Sequence, residues 1–487
     1  MKSGCCCAWK LLPTLTALTL LLVLGGCAQN PVSGRPNFVT MSEDQEVQTG
    51  RQEDAKVRQE YGVYGDKALQ RYVNEVGQRM GKVSHRPTLQ YSYVVVDSPE
   101  INAFALPGGY IYITRGILSY LNSEAELAAV LGHETGHVTA RHSVQQMGAA
   151  TAASVGATLL GVFVPVLRNQ VGDTAVNLLG SALLSGYGRE HELEADRLAA
   201  EYLLRTGYDP QAMIKVVGAL KNQELFDAAI AKSEGREPRA YHGLFASHPD
   251  NDTRLQEVVA QAGRLPPGAG RVNQDEFMRM IDRLPFGSSE SQGFVRNFVF
   301  YHRELDLAVK FPEHWRISNT PVSVSAKNRT DDAVIQMRLA GRAQGTPADV
   351  LRKAVGGAAD VTATTINGLP AAVTTTSVRG NPTRAAVIFL HKNAYIIAGQ
   401  ASSGAALQQA LPEINATIAG FHAMTDTERN SVRPLTLRVI TAPAGATFAE
   451  LAKNSPLGKN AVARLRLLNA LYPDGEPVAG QALKIIE

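Results

Sequence analysis

A chain of 487 residues exceeds one typical domain and predicts about two or three, and its 45% hydrophobic content is enough to build buried cores. Lysine plus arginine, 48, nearly balance aspartate plus glutamate, 45, for a formal charge of +3, a balance that gives no reason to expect nucleic acid or a strongly acidic partner.

The N-terminus reads "MKSGCCCAWKLLPTLTALTLLLVLGGCAQN". Lys2 and Lys10 precede an apolar run from Leu11 to Leu24, then small residues and Cys27, the order of a secretory signal over residues 1–26 rather than of a spanning helix. Leu24-Gly25-Gly26-Cys27 resembles the bacterial lipobox, which implies lipidation at Cys27 as the first residue of the mature protein. Cysteine usage fits that resemblance. Cys5, Cys6 and Cys7 leave with the signal, Cys27 remains alone, and acylation caps a thiol that has no internal partner. In the lipoprotein pattern, Ala28 implies sorting to the outer membrane with the body in the periplasm, and more than one acyl chain makes the anchor firm.

Residues 27–45 are polar and turn-rich and predict a tether. Glu46 to Tyr61 has a charged helical pattern, and "DKALQRYVNEVGQRMGKVS" spaces Leu69, Tyr72, Val73, Val76 and Met80 along one helix face. Two β-rich runs follow, "YSYVVVDS" and "GGYIYITRGIL", separated by "PEINAFALP", and predict a small sheet. A helix is expected from Ser123, with Ser123 and Glu126 placed as a capping box. Residues 144–186, poor in charge and rich in Ala, Gly, Leu and Val, predict a buried or cleft-covering helical hairpin, with a membrane-touching pair as the alternative. A further helix runs from Arg189 to Arg205 and stops at Gly207. "GRLPPGAGR" and "RLPFGSSESQG" loosen the chain, so a first domain is placed at 46–290. Alternating strand and helix patterns then predict an α+β domain over 298–425, and 433–487 forms a short final module.

Chemistry is concentrated in "VLGHETGHVTARH". Residues four apart share a helix face, so His133 and His137 can point at one ion with Glu134 beside it. A catalytic site of this kind takes a third protein ligand and keeps the fourth position open. Ala140 and Ser143 stand where a metzincin would have Gly and His, so the third ligand comes from elsewhere, and Glu192-Leu193-Glu194-Ala195-Asp196 is the candidate supplier. Glu192 and Glu194 point about 200 degrees apart on a helix, so only one of them can face the histidines.

Together "NAFALPGGYIYITRGIL", "ELAAVLGHETGHVTARH" and "REHELEADRLAAEYL" resemble the gluzincin zinc metallopeptidase family of the HtpX-like and CAAX prenyl proteases, in its exported, lipoprotein, quality-control form; the resemblance covers about half the chain. It implies one zinc ion held by His133, His137 and Glu192, Glu134 as catalytic base, and Asp196 supporting a ligand histidine. It also implies that Asn102, Ala103 and Phe104 lie on an edge against which an extended substrate is laid. His248 of "FASHPDNDTRLQEV" resembles a His-Pro element of exported members and has two readings, an incidental histidine at a loop-to-helix junction or a plug of zinc's open position in a latent form. His142 and His191 read as structural or supporting residues. Residues 433–487 resemble a LysM-like βααβ module, although Gly445-Ala446-Thr447-Phe448 departs from the usual motif; the resemblance implies either peptidoglycan as a further partner or a domain that packs on the protease or another protein.

The expected architecture is therefore α+β: a mainly helical zincin-type domain with a small sheet, an α+β domain, and the LysM-like module. The expected function is zinc-dependent endopeptidase action on misfolded or misassembled envelope proteins at the outer membrane. The rival is a non-catalytic scaffold or chaperone that links outer membrane to peptidoglycan through a structural zinc.

Overall fold

The structure is a computed structural model, and it describes residues 27–34, 36–38, 41–147, 187–233, 254, 256, 257, 260, 270–357 and 359–487. The expected signal, most of 144–186 and His248 lie outside the described residues.

Where a tether was expected, β1 (Cys27–Gln29) pairs antiparallel with β2 (Pro36–Phe38). The first helix, α1 (Glu43–Tyr61), starts earlier than its charge pattern predicts because Ser42 caps it: the Ser42 hydroxyl accepts from Gln45 N–H while the Gln45 side chain accepts from Ser42 N–H. Asp66 caps α2 (Lys67–Val83), which buries Leu69, Val73, Val76 and Met80 as the spacing predicts.

A three-stranded sheet follows in the order β3 (Ser92–Val96), β5 (Tyr110–Thr114), β4 (Ala103–Leu106). β3 runs parallel to β5, and β4 runs antiparallel to it. Two features differ from the sequence expectation. The separator "PEINAFALP" itself contains β4, because Ala103 and Ala105 are small enough to let the strand pack on the helix below. "RGIL" leaves the strand and coils into α3 (Arg115–Leu118), because the Thr114 hydroxyl accepts from Ile117 N–H and caps a new turn.

Next comes α4 (Glu124–Thr139), and every one of its 16 residues is buried. Ser123 is its N-cap, accepting from Glu126 N–H at 3.2 Å; the Glu126 carboxylate reaches past Ser123 to Asn122 N–H at 2.7 Å. A helix enclosed on all sides belongs to the core rather than the surface, so its histidines and glutamates are desolvated. Across it lies α5 (Arg189–Thr206), closed by Gly207 at a φ of 74°. Their approach is unusually close because Gly132 and Gly136 of α4 face Ala199 and Ala195 of α5; a Cβ on Gly136 would lie 3.2 Å from the Ala195 Cα and carbonyl oxygen. α6 (Ala212–Ser233) and α7 (Gln274–Ile281) complete the helical layer.

β6 (Pro285–Phe286) leads into a four-stranded sheet in the order β17 (His422–Ala423), β9 (Leu307–Lys310), β8 (Val299–His302), β7 (Phe294–Arg296). An antiparallel seven-stranded sheet adjoins it: β10 (Arg316–Thr320), β11 (Ser323–Lys327), β12 (Ala333–Arg342), β16 (Asn393–Ala401), β15 (Asn381–Leu390), β14 (Leu369–Val378), β13 (Thr362–Ile366). α8 (Pro347–Val355) covers one face over Leu351, Val387 and Ile396. The opposite face, over Ile335, Ile397 and Ile414, takes α9 (Gly404–Ala419). Trp315 belongs to that second core, as a residue type more often buried than used as a platform.

After α10 (Asp426–Ser431), the C-terminal segment runs β18 (Leu435–Thr441), α11 (Phe448–Ala452), α12 (Ala461–Leu468), β19 (Ala482–Ile486). It does not stand apart. Leu437, Phe448, Leu465, Leu483 and Ile486 share one buried cluster with Leu69, Leu127 and Leu203 of the helical layer, and β18 pairs with β6 as well as β19. Lys484 is fully buried and donates to the carbonyls of Ser119 and Leu121, just before the cap of α4, at 2.7 and 2.8 Å. Burial pushes its ammonium down to about 7. Between about pH 7 and the ordinary lysine value the unfolded chain holds the proton and the fold does not, so stability from this group rises with pH. We expect Lys484→Met to cost about 2 kcal/mol. Measured by urea unfolding, the gap to wild type should widen from pH 7 to pH 10; a gap that narrows would contradict the assignment.

Candidate metal centre

Two helices build the site. His133 and His137 lie one turn apart on α4, and Glu192 lies in the first turn of α5, which the Gly136–Ala195 approach presses against them. The His133 and His137 Nε2 atoms are 3.0 Å apart. Glu192 Oε2 is 3.4 Å from His133 Nε2, and Glu192 Oε1 is 3.5 Å from His137 Nε2. Ligands at zinc's usual ~2.0–2.1 Å in a tetrahedron are separated by about 3.3–3.4 Å, so the three donors already form one face of that polyhedron. Two imidazoles and a carboxylate with a fourth position left over are the donor set of a hydrolytic zinc site. Glu134 sits beside His133 and is fully buried. Glu194 points elsewhere, as helix geometry requires, with its carboxylate on His142 Nε2 at 3.2 Å.

Each imidazole is held from behind. His133 Nδ1 meets Asp196 Oδ1 at 2.8 Å. His137 Nδ1 meets His142 Nδ1 at 2.9 Å, and the Tyr187 ring stacks on His137 with centroids 3.9 Å apart. Tyr187 is itself fixed by a 2.7 Å hydrogen bond between its hydroxyl and that of Ser143. His191 stacks on His142 at 4.2 Å.

Electrostatics are set by desolvated charge. Arg254, fully buried, donates to both Asp196 oxygens at 2.8 and 2.7 Å and lies 3.2 Å from Glu192 Oε2. Burial by itself pushes the Asp196 carboxyl up, but the Arg254 charge and hydrogen bonds, with His133, hold it down at about 2. Burial opposes charge on His133 as well, yet Asp196 and Glu192 raise it to about 9. The carboxylate partners therefore favour a positive charge at this point, whether proton or metal. Burial keeps His142 below the ordinary histidine value despite Glu194, and takes His191 to about 4.

Of the residues singled out from sequence, His133, Glu134, His137, Glu192 and Asp196 are gathered on these two helices. Asn102 precedes β4, and Ala103 and Phe104 lie on it, at the edge of the small sheet and packed against α4. Cys27 lies in the N-terminal hairpin, paired with Phe38. Sequence reasoning missed Arg254, Tyr187 and the Gly132–Gly136 contact. Arg254 sits in a polar run with no periodic signal, whereas the small residues at 132, 136, 195 and 199 are spaced four apart and are readable as a close helix crossing.

Comparison with known proteins places this geometry. Residues 67–262 match Peptidase family M48. The β-barrel assembly-enhancing protease of Escherichia coli (strain K12) is 29% identical over 257 residues, 51% of this chain and 50% of that protein. Mitochondrial metalloendopeptidase OMA1 of Schizosaccharomyces pombe is 32% identical over 235 residues, 47% of this chain and 64% of that one, and metalloprotease YcaL of Escherichia coli (strain K12) is 30% identical over 172 residues, 34% and 60%. The chain thus matches about half the length of the assembly-enhancing proteases. The matched segment carries the two-histidine helix and the helix that brings Glu192 to it, and it is in that segment that the chain is similar to peptidase family M48.

Proposed function

We propose that this protein is a zinc-dependent endopeptidase of the bacterial envelope that hydrolyses unfolded or misassembled proteins. The observation that carries the reading is the triangle of His133, His137 and Glu192 donors with the buried Glu134 beside it. His133, His137 and Glu192 would hold a zinc ion, which would supply a Lewis acid and lower the pKa of water there toward ~7. Glu134 accepts the proton of the attacking water and returns it to the leaving amine. Asp196 and His142 keep the ligand imidazoles in one tautomer and orientation, and Arg254 balances the carboxylates without occupying the histidines.

Substrate is proposed to add as a strand to the edge of β4 at Asn102, Ala103 and Phe104, where main-chain hydrogen bonds bind many sequences. That breadth suits unfolded chains. The lipidated Cys27 is the proposed outer-membrane anchor, and among the described residues no helix is long and apolar enough to cross a membrane. The βααβ order of 435–486 supports a LysM-like module, with peptidoglycan as its proposed ligand. His248 is retained as the proposed plug of a latent form.

Purified full-length protein should degrade an unfolded casein, lose that activity on chelation and regain it with one equivalent of zinc per chain. Activity that survives complete chelation would overturn the zinc-dependent reading, and a zinc-loaded protein that cleaves nothing would favour the scaffold.

A further inference from the structure

We propose that His142 and Glu194 form an outer hydrogen-bonded relay that fixes the tautomer of His137, so that the two ligand imidazoles are held by different devices: His133 by a carboxylate directly, His137 by a carboxylate acting through a second imidazole. The inference rests on the zinc reading above, because it concerns which ring nitrogen is left for the ion.

The geometry determines the direction of each proton. His137 Nε2 points to His133 Nε2 and Glu192, at the place where an ion sits, so in a neutral ring the proton is on Nδ1. His137 Nδ1–H then donates across 2.9 Å to His142 Nδ1, which must be the unprotonated nitrogen of its ring. The His142 proton is consequently on Nε2, and it is donated to Glu194 Oε2 at 3.2 Å. A row of three groups, Glu194, His142 and His137, thus runs outward from the ion with every hydrogen bond pointing the same way. Both imidazoles of the row are buried, and the His142 ring is clamped between its two polar contacts by the stacked His191. On the other arm His133 Nδ1 lies 2.8 Å from Asp196 Oδ1, and both oxygens of that carboxylate accept from Arg254.

The arrangement also gives Glu194 a use. It is the acid that helix geometry turns away from the ion, and the same turn that removes it from the ligand face delivers it to the ring behind His137. His142, five residues after His137, lies just past the end of α4, where the chain turns at Arg141 with a φ of 61° and brings the ring back under the helix it has left.

His142 and Glu194 are therefore positioning residues, and their test is metal affinity rather than turnover. Zinc dissociation constants would be measured on the full chain by competition with a chelator of known affinity, alongside unfolding of the metal-free protein. His142→Leu is expected to weaken zinc about 10–100-fold, and His142→Gln, whose amide oxygen can accept from His137 Nδ1–H, to recover part of that loss. Glu194→Ala should weaken zinc in the wild-type background and have little further effect on His142→Leu, because its influence passes through that ring. Nitrogen NMR of the zinc-loaded protein should show His142 protonated at Nε2 and bare at Nδ1. A His142 ring protonated at Nδ1 would overturn the relay, as would a folded His142→Leu with wild-type affinity, or a Glu194→Ala loss undiminished in the double variant. Absence of zinc binding by the wild type would instead reject the metal reading itself.

Discussion

Glu134→Gln should leave zinc bound at one ion per chain while proteolysis falls about 10²–10⁴-fold. The side chains are nearly the same size, so the buried space beside His133 stays filled, and the three metal donors are untouched. What is lost is a carboxylate able to take a proton during attack and give it back to the leaving amine, a contribution of about 3–5 kcal/mol to the barrier. Measuring zinc by elemental analysis and casein cleavage on the same preparation separates that role from a structural one. Equal activity in the variant would remove Glu134 from the chemistry; loss of zinc together with activity would make it a determinant of the site's structure rather than its base.

Arg254→Leu is expected to have the largest effect on the fold of the metal-free protein. The guanidinium is fully buried and lies against Asp196 and Glu192, and its removal leaves two desolvated carboxylates close together without it. Breaking a buried pair on one side costs about 3–5 kcal/mol, since the remaining carboxylates lose their counter-charge where water cannot replace it. Zinc carries two positive charges into the same cluster, so the variant should be stabilised by saturating zinc more than wild type is. Urea unfolding with and without zinc reads both quantities. An equal or smaller zinc effect in the variant would show that Arg254 does not balance the ligand carboxylates.

Much of this site was legible in the residues because its geometry is local. The four-residue spacing of His133 and His137 and the placement of Glu192 and Asp196 on one face of α5 follow from helical periodicity alone, and the caps at Ser123 and Gly207 and the core face of α2 follow from equally local rules. What was not legible depends on contacts between distant segments. Arg254 reaches Asp196 across 58 positions, and no local pattern marks a buried arginine. "AFAL" forms a strand because β5 and α4 offer it an edge and a floor, neither visible in a run of four apolar residues. The β and α order of the C-terminal segment marks a module but not where it packs, and its joining of the helical core depends on Lys484 and the β6–β18 pairing, which bridge to residues far upstream.

The most direct test of the central claim is the identity of the atoms around the ion, seen by anomalous diffraction at the zinc edge from crystals of the full chain. The account predicts one zinc per chain, bonded to Nε2 of His133, Nε2 of His137 and a carboxylate oxygen of Glu192, with Glu134 close by and unbonded. Zinc held at any other set of side chains, with Glu192 turned away from the histidines, would contradict it.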